Sequence, residues 1–160
     1  LYDNPGLNTR LWPGNDPIRI VVDRELRLPT TTKVFDGRST TIVFNLKQHT
    51  IPAEWIYQPA DPKSFDVGYY QVTNDVSLIH QMIHALYEMK IQSVLVEGGA
   101  LLLQSFIDEA LWDEARIITN TKMHISNGLP APVLHNERLV QSHQLLSDTI
   151  QFFTPATQNP

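Results

Sequence analysis

The 160-residue chain contains no cysteine. That excludes a disulfide framework and any cysteine-ligated metal, and it fits a reducing compartment. No apolar run approaches the length needed to span a bilayer. No charged-then-apolar leader opens the chain. Leu1-Tyr2-Asp3-Asn4-Pro5 is polar, turn-like and without methionine, as expected of a chain entered partway. The net charge is −5, with acids and bases scattered and no basic stripe, which argues against a nucleic-acid partner. Glycine occurs only 7 times and in neither a G-x-G-x-x-G nor a G-x-x-x-x-G-K-[ST] pattern. Neither a dinucleotide fingerprint nor a P-loop is therefore present. No G-x-S-x-G supports a Ser-His-Asp arrangement.

What is present reads as one domain with a real core, 42% hydrophobic, with no internal repeat and no separating linker. Residues 18–23 and 40–44 are apolar, β-branched runs and predict strands. Weaker strands are expected at 54–58 and 69–72, and a short helical turn or strand at Val34-Phe35. A helix is expected from a cap at Asn74 or Asp75 to about Lys90, with Val76, Ile79, Met82, Ile83 and Leu86 as its apolar stripe. Residues 91–97 predict a buried central strand, and residues 101–111 a second helix. Strands follow at 113–120, 139–146 and 149–153, the last two as an antiparallel pair, with a frayed tail from Pro155. The order predicts an α/β fold, a mostly parallel sheet flanked by helices with an antiparallel C-terminal edge.

Between the expected central strand and the second helix stand Glu97, Gly98 and Gly99. Two glycines let a backbone or ligand approach without a Cβ in the way. The free N–H groups and dipole of the following helix favour an anion. A tight turn and a phosphate cradle are both open on these residues alone. Glu97 beside such a turn makes sense if it bonds a polar part of a ligand rather than a phosphate. His80 and His84 lie one helical turn apart, the spacing of a zinc hydrolase, but Gln81 stands where its glutamate base belongs and no third ligand is evident. Both histidines fall on the polar side of the stripe, which makes a solvated face the better reading. Near the start, Asp3 either caps the Asn4-Pro5 turn or joins a site in which Arg10 binds a phosphate through its planar fork.

Two segments together resemble a known family. Asp3-Asn4-Pro5-Gly6-Leu7-Asn8-Thr9-Arg10 resembles the D-[ND]-P-x-L-x-x-R segment in the reductase domain of the riboflavin biosynthesis deaminase/reductase. Val94-Leu95-Val96-Glu97-Gly98-Gly99-Ala100, with Phe106-Ile107 and Leu111-Trp112-Asp113-Glu114 after it, is similar to that family's VEGG-A block. Residues 18–23 resemble its P-x-R-V-V-L-D strand. The resemblance implies a dihydrofolate-reductase-like fold and NADPH-dependent reduction of 5-amino-6-(5-phosphoribosylamino)uracil to the ribitylamino product, without a metal. It implies that Asp3 lies near the nicotinamide and the reacting sugar carbon, and makes Asp3 and Glu97 the catalytic candidates. Leu7, Arg10 and Glu97 would contact substrate, with Arg10 near its phosphate. Gly98, Gly99, Ala100, Leu101, Leu102, Leu103, Gln104 and Ser105 would hold the cofactor's pyrophosphate.

The family carries a strand and helical segment before the Asp-Asn-Pro turn and often a zinc deaminase domain upstream. This chain begins after them, so the expectation is a 1–160 reductase domain lacking its N-terminal strand and helical segment. The full-length protein would carry the deaminase, act in the cytoplasm and form a homodimer through the edge that a missing strand exposes. Trp112 replaces a usual aliphatic residue, and residues 123–132 hold only Gly128 where the family has a glycine-rich loop. Two alternatives remain open on sequence. One is a non-catalytic dimerising remnant. The other is a dihydrofolate-reductase-like enzyme for another pterin or pyrimidine.

Overall fold

The computed structural model describes residues 3–11, 13–52 and 67–156. Its contacts divide the chain into two units, Leu1–Val94 and Leu95–Pro160, each described here by itself.

The first unit is built on a parallel sheet of β1 (Arg19–Val22), β2 (Thr41–Asn45) and β3 (Val67–Gln71), in that order. Register runs Arg19 to Thr41 and Thr41 to Val67. Every residue of β2 is buried, with Ile42, Val43 and Phe44 at 0% exposure. A middle strand covered on both faces needs this unbroken apolar character. Asn45 ends the strand: its Oδ1 accepts the Lys47 and Gln48 N–H groups, both at 2.8 Å, and turns the chain. The expected turn at Val34-Phe35 is a 3-10 turn, Lys33–Phe35.

α1 (Leu78–Glu88) follows, with Ile79, Met82, Ala85 and Leu86 buried in the expected 3.6-residue period. Val76 and Ile83, also assigned to the stripe, are exposed. The cap is Ser77, whose hydroxyl accepts from the His80 N–H, rather than Asn74 or Asp75. The segment ahead is latched by Gln81, which accepts the Thr73 N–H at 2.8 Å and donates to Thr73 O at 3.1 Å and Val76 O at 3.0 Å. Gln81 thus serves the helix start, while His80 and His84 are exposed.

The second unit holds α2 (Ala100–Asp108) and an antiparallel sheet of β4 (Ala115–Asn120), β5 (Glu137–Leu145) and β6 (Asp148–Pro155), in the order β4-β6-β5. β5 and β6 form the expected hairpin, closed by Leu146 and Ser147, and β6 takes in Pro155, which was expected in the frayed tail. Val140 is bulged between Leu139 and Gln141, which pair with consecutive residues of β6.

The expected central strand does not form. Residues 91–97 form no strand, and Leu95 within them is 81% exposed. An apolar β-branched run becomes a strand only where neighbours supply a ladder, and none of these residues joins either sheet. The boundary between the units falls inside this run. Parallel and antiparallel strands are both present as expected, in two sheets rather than one. The expected strand at 54–58 lies outside the described residues.

Both helices end in a Schellman motif without glycine. In α1 the Lys90 N–H donates to Tyr87 O and the Ile91 N–H to Leu86 O; in α2 Ala110 donates to Ile107 O and Leu111 to Phe106 O. Lys90 (φ 59°) and Ala110 (φ 53°) carry a Cβ in the left-handed region. Relief of that strain outweighs the extra freedom glycine gives the unfolded chain, so Ala110→Gly should stabilise the protein by about 0.5 kcal/mol. A urea melt checks the sign, and a lower midpoint would contradict this account of the motif.

Candidate functional site

The first candidate stretch is the loop from Asp3 to Arg10. It contains two non-glycine residues at positive φ, Asn4 at 38° and Leu7 at 45°. Asparagine tolerates this region; leucine does so at a cost of about 1 to 2 kcal/mol. Such strain persists only where the surroundings over-determine the backbone, and two tethers do so here. Asn4 Oδ1 accepts the Lys33 N–H at 2.9 Å. At the other end, Asp16 Oδ1 accepts both the Thr9 N–H, at 2.8 Å, and the Thr9 hydroxyl, at 2.7 Å.

The Thr9–Asp16 pair closes a loop that carries Arg10 and Leu11 outward. Arg10 is exposed and pairs with no acid among the described residues. Asn8, Arg10 and Leu11 line an open depression of about 410 Å³. A guanidinium at the rim of an open depression suits an anionic group arriving from solvent. Asp3 is exposed and Leu7 half-buried on the same loop.

The second stretch lies in the other unit. Gly99 caps α2 at φ 70°, ψ 125°, with no side chain bonded to the helix start. A Cβ there is strained by that φ whatever the space. Gly98 differs: it needs no special φ, and a Cβ built on it meets nothing within 4 Å. Among the described residues nothing fills the space where a Gly98 Cβ would stand.

Leu103 is the first residue whose N–H enters the helix ladder, donating to Gly99 O at 3.1 Å. The N–H groups of Ala100, Leu101 and Leu102 therefore lack intrahelical partners. No acidic residue lies in the first turn, and Glu97 makes no hydrogen bond or ion pair with another described residue. Gln104 and Ser105, expected to contact the cofactor, are engaged elsewhere. Gln104 exchanges hydrogen bonds with the Val133 backbone at 2.8 and 3.2 Å, and Ser105 donates to Leu101 O. The helix terminus can hold a phosphate through three main-chain N–H groups, with glycine in front to let it approach.

The structure thus keeps Asp3, Leu7 and Arg10 on one loop of the first unit and Glu97 to Ser105 on one turn of the second. The tethers were not legible in sequence. Asp16 gave no signal, because a threonine and an aspartate seven residues apart in a loop follow no periodicity.

A family model described as the RibD C-terminal domain matches residues 1–123. The chain belongs to this family. The matched region contains both stretches, and β5 and β6 lie beyond it. Among its relatives, the riboflavin biosynthesis protein RibD of Bacillus amyloliquefaciens is 30% identical over 114 residues, 70% of this chain and 29% of that protein. The 2,5-diamino-6-ribosylamino-4(3H)-pyrimidinone 5′-phosphate reductase of Methanothermobacter thermautotrophicus is 29% identical over 120 residues, 73% of this chain and 53% of that protein. Among solved structures, the deaminase/5-amino-6-(5-phosphoribosylamino)uracil reductase of Thermotoga maritima superposes with a TM-score of 0.74 at 25% identity, covering 96% of this chain and 42% of that one. The chain thus spans about half or less of the length of each of these relatives. The likeness is that of a mixed α/β reductase fold.

The two Thr9 hydrogen bonds, that of its hydroxyl first, hold the Asp16 carboxyl below its ordinary range. A carboxylate with a lowered folded-state pKa stabilises above its unfolded value and stops doing so as pH falls through the folded value. Thr9 amide protection should therefore be flat from neutral pH down to about pH 5 and lost only below the usual carboxylate range. In Asp16→Asn it should be weaker at every pH. Amide exchange of Thr9 against pH tests this, and loss of protection near pH 6 would contradict it.

Proposed function

We propose that this chain is a reductase domain of riboflavin biosynthesis. It reduces the ribosyl group of 5-amino-6-(5-phosphoribosylamino)uracil to the ribityl form with NADPH. The observation that carries the proposal is a coincidence of positions. The two places where the chain could take up a phosphate, Arg10 on its tethered loop and the uncapped start of α2 behind Gly98, fall in the two segments whose motifs resemble the family's, and both lie inside the region its model matches.

The relatives' names support a phosphorylated ribosylaminopyrimidine as substrate. They differ at the pyrimidine ring, which is a uracil in one and a diaminopyrimidinone in the other. The feature both share is the sugar 5′-phosphate, and Arg10 is proposed to bind it. The reduction adds hydride to the sugar carbon bonded to nitrogen, breaks its bond to the ring oxygen, and places a proton on that oxygen. NADPH, when bound, supplies the hydride.

The residues on hand fit such a cofactor. Ala100, Leu101 and Leu102 offer N–H groups to its pyrophosphate, and Gly98 leaves the approach open. Asp3 is proposed to face the reacting carbon and the nicotinamide. Leu7 would pack against the substrate, and Glu97, unpaired with any described residue, would accept a hydrogen bond from it. Position and electrostatics are the protein's contribution. The proposal extends to a cytoplasmic homodimer in which 1–160 form one reductase domain and a deaminase domain is fused in the full-length protein. No described helix is long and apolar enough to cross a membrane.

NADPH titrated into this chain should bind saturably. Gly98→Val should keep the fold, because a Cβ there meets no described residue within 4 Å and Gly98 needs no positive φ, yet weaken NADPH binding at least about tenfold by filling the approach. Arg10→Ala should raise KM for the phosphorylated substrate about tenfold or more, with a smaller change in kcat. Unchanged NADPH affinity in a folded Gly98→Val variant would refute the cofactor placement. An unchanged KM in Arg10→Ala would refute the phosphate assignment.

A further inference from the structure

We infer that Asn4 is a positioning residue for this loop. Through its hydrogen bond to Lys33 it fixes Asp3 and Arg10 to a turn that the buried Arg19 guanidinium makes immovable. The inference rests on the proposed roles of Asp3 and Arg10.

The 3-10 turn Lys33–Phe35 begins with an N–H, that of Lys33, which no local side chain caps. The neighbouring Thr32 hydroxyl is turned away and donates to Pro29 O. Asn4, 29 residues earlier in the chain, supplies the missing acceptor at 2.9 Å. The turn's carbonyls are held from the opposite side. Arg19 Nη1 donates to Lys33 O at 3.1 Å and to Val34 O at 3.2 Å, and it meets Asp36 Oδ1 at 2.7 Å. The Thr41 hydroxyl also donates to Val34 O, at 2.5 Å.

Arg19 is 1% exposed, and among the described residues its Nε and Nη2 have no partner. Its hydrogen bonds to described residues all come through Nη1. If the turn moved, the guanidinium would lose every partner while still dehydrated, so the turn stays fixed. Lys33 is thus a rigid anchor point, and Asn4 is where the candidate loop attaches to it. The second anchor, Thr9 on Asp16, sits at the far end, with strained Leu7 between. Releasing Asn4 lets Leu7 relax and carries Asp3 and Arg10 away from their shared geometry.

Asn4→Gly removes the acceptor and suits the φ of 38°. Asn4→Asp keeps an acceptor oxygen. In Asn4→Gly the Lys33 amide should exchange about tenfold faster, and the faster exchange should spread to Thr9. Turnover of 5-amino-6-(5-phosphoribosylamino)uracil with NADPH should fall at least about tenfold in kcat/KM, with the KM for NADPH nearly unchanged. Asn4→Asp should restore both. Unchanged Lys33 exchange overturns the tether. Faster exchange with unchanged kcat/KM overturns the positioning role. If the parent chain shows no turnover, the reductase reading fails separately, and exchange decides the loop: faster exchange at Lys33 and Thr9 upholds the coupling, and faster exchange at Lys33 alone overturns it.

Discussion

A guanidinium removed from water must find its partners inside the protein, and among the described residues Arg19 in β1 finds them through one nitrogen, Nη1. Its contacts with Lys33 O, Val34 O and Asp36 join the first strand to the turn that precedes the second. Thr41, which pairs with Arg19 in the sheet, bonds the same Val34 carbonyl. Burial of an ion costs several kcal/mol, so an arrangement that compensates it with one nitrogen has little freedom to vary. The hydrogen bond from Arg19 also holds the Asp36 carboxyl below its ordinary range. The attraction is therefore present above the unfolded carboxyl value and weakens as pH falls through the depressed one. What looks in sequence like a charged residue interrupting an apolar strand is the joint on which the first unit's loops depend.

The two candidate stretches offer a phosphate different donors. The first offers a side chain, Arg10, whose charge is permanent and whose usefulness depends on its loop being held. The second offers main-chain N–H groups, which the helix itself fixes. The tethers on the first stretch accordingly hold the loop that carries its side-chain donor, whereas on the second the long-range bonds of Gln104 to Val133 attach beyond the free N–H groups. A flexible arginine on an untethered loop would lose side-chain and backbone entropy on each binding event; pre-ordering the loop moves part of that loss into folding.

The legible parts of the fold were those in which one residue type answers to one constraint. β2 is buried on both faces and reads as an unbroken apolar run, and α1 buries a 3.6-residue stripe. Gly98-Gly99 announced a turn because the φ of 70° at Gly99 admits little else. The misreadings share a cause. Residues 91–97 have the composition of a strand, but a strand is a property of two partners, and the partner is not written in the run. The first helix was capped too early because Asn74, Asp75 and Ser77 are all competent caps, and only the geometry selects Ser77. Neither helix end carries the glycine that marks a Schellman motif: the first stop, expected at about Lys90, falls at Glu88, and the second, expected at Leu111, falls earlier, at Asp108. Asn4 was legible as a turn residue; its bond to Lys33, far along the chain, was not.

Glu97 shows how the second stretch avoids satisfying itself. A carboxylate close ahead of a helix is well placed to fold back onto the first free N–H groups and neutralise the dipole. Had Glu97 done so, Ala100, Leu101 and Leu102 would be occupied and a phosphate would have to displace a covalently tethered competitor. Two glycines separate Glu97 from the helix, and Gly99 takes a φ that directs the chain away before the first turn begins. Glu97 makes no hydrogen bond with another described residue, the first turn contains no acid, and Gly99 brings no side chain. Neither a carboxylate nor a capping side chain among the described residues thus occupies those N–H groups. The positive end of α2 and the Glu97 carboxylate therefore stay separate from one another, as the proposed division of the ligand between them requires.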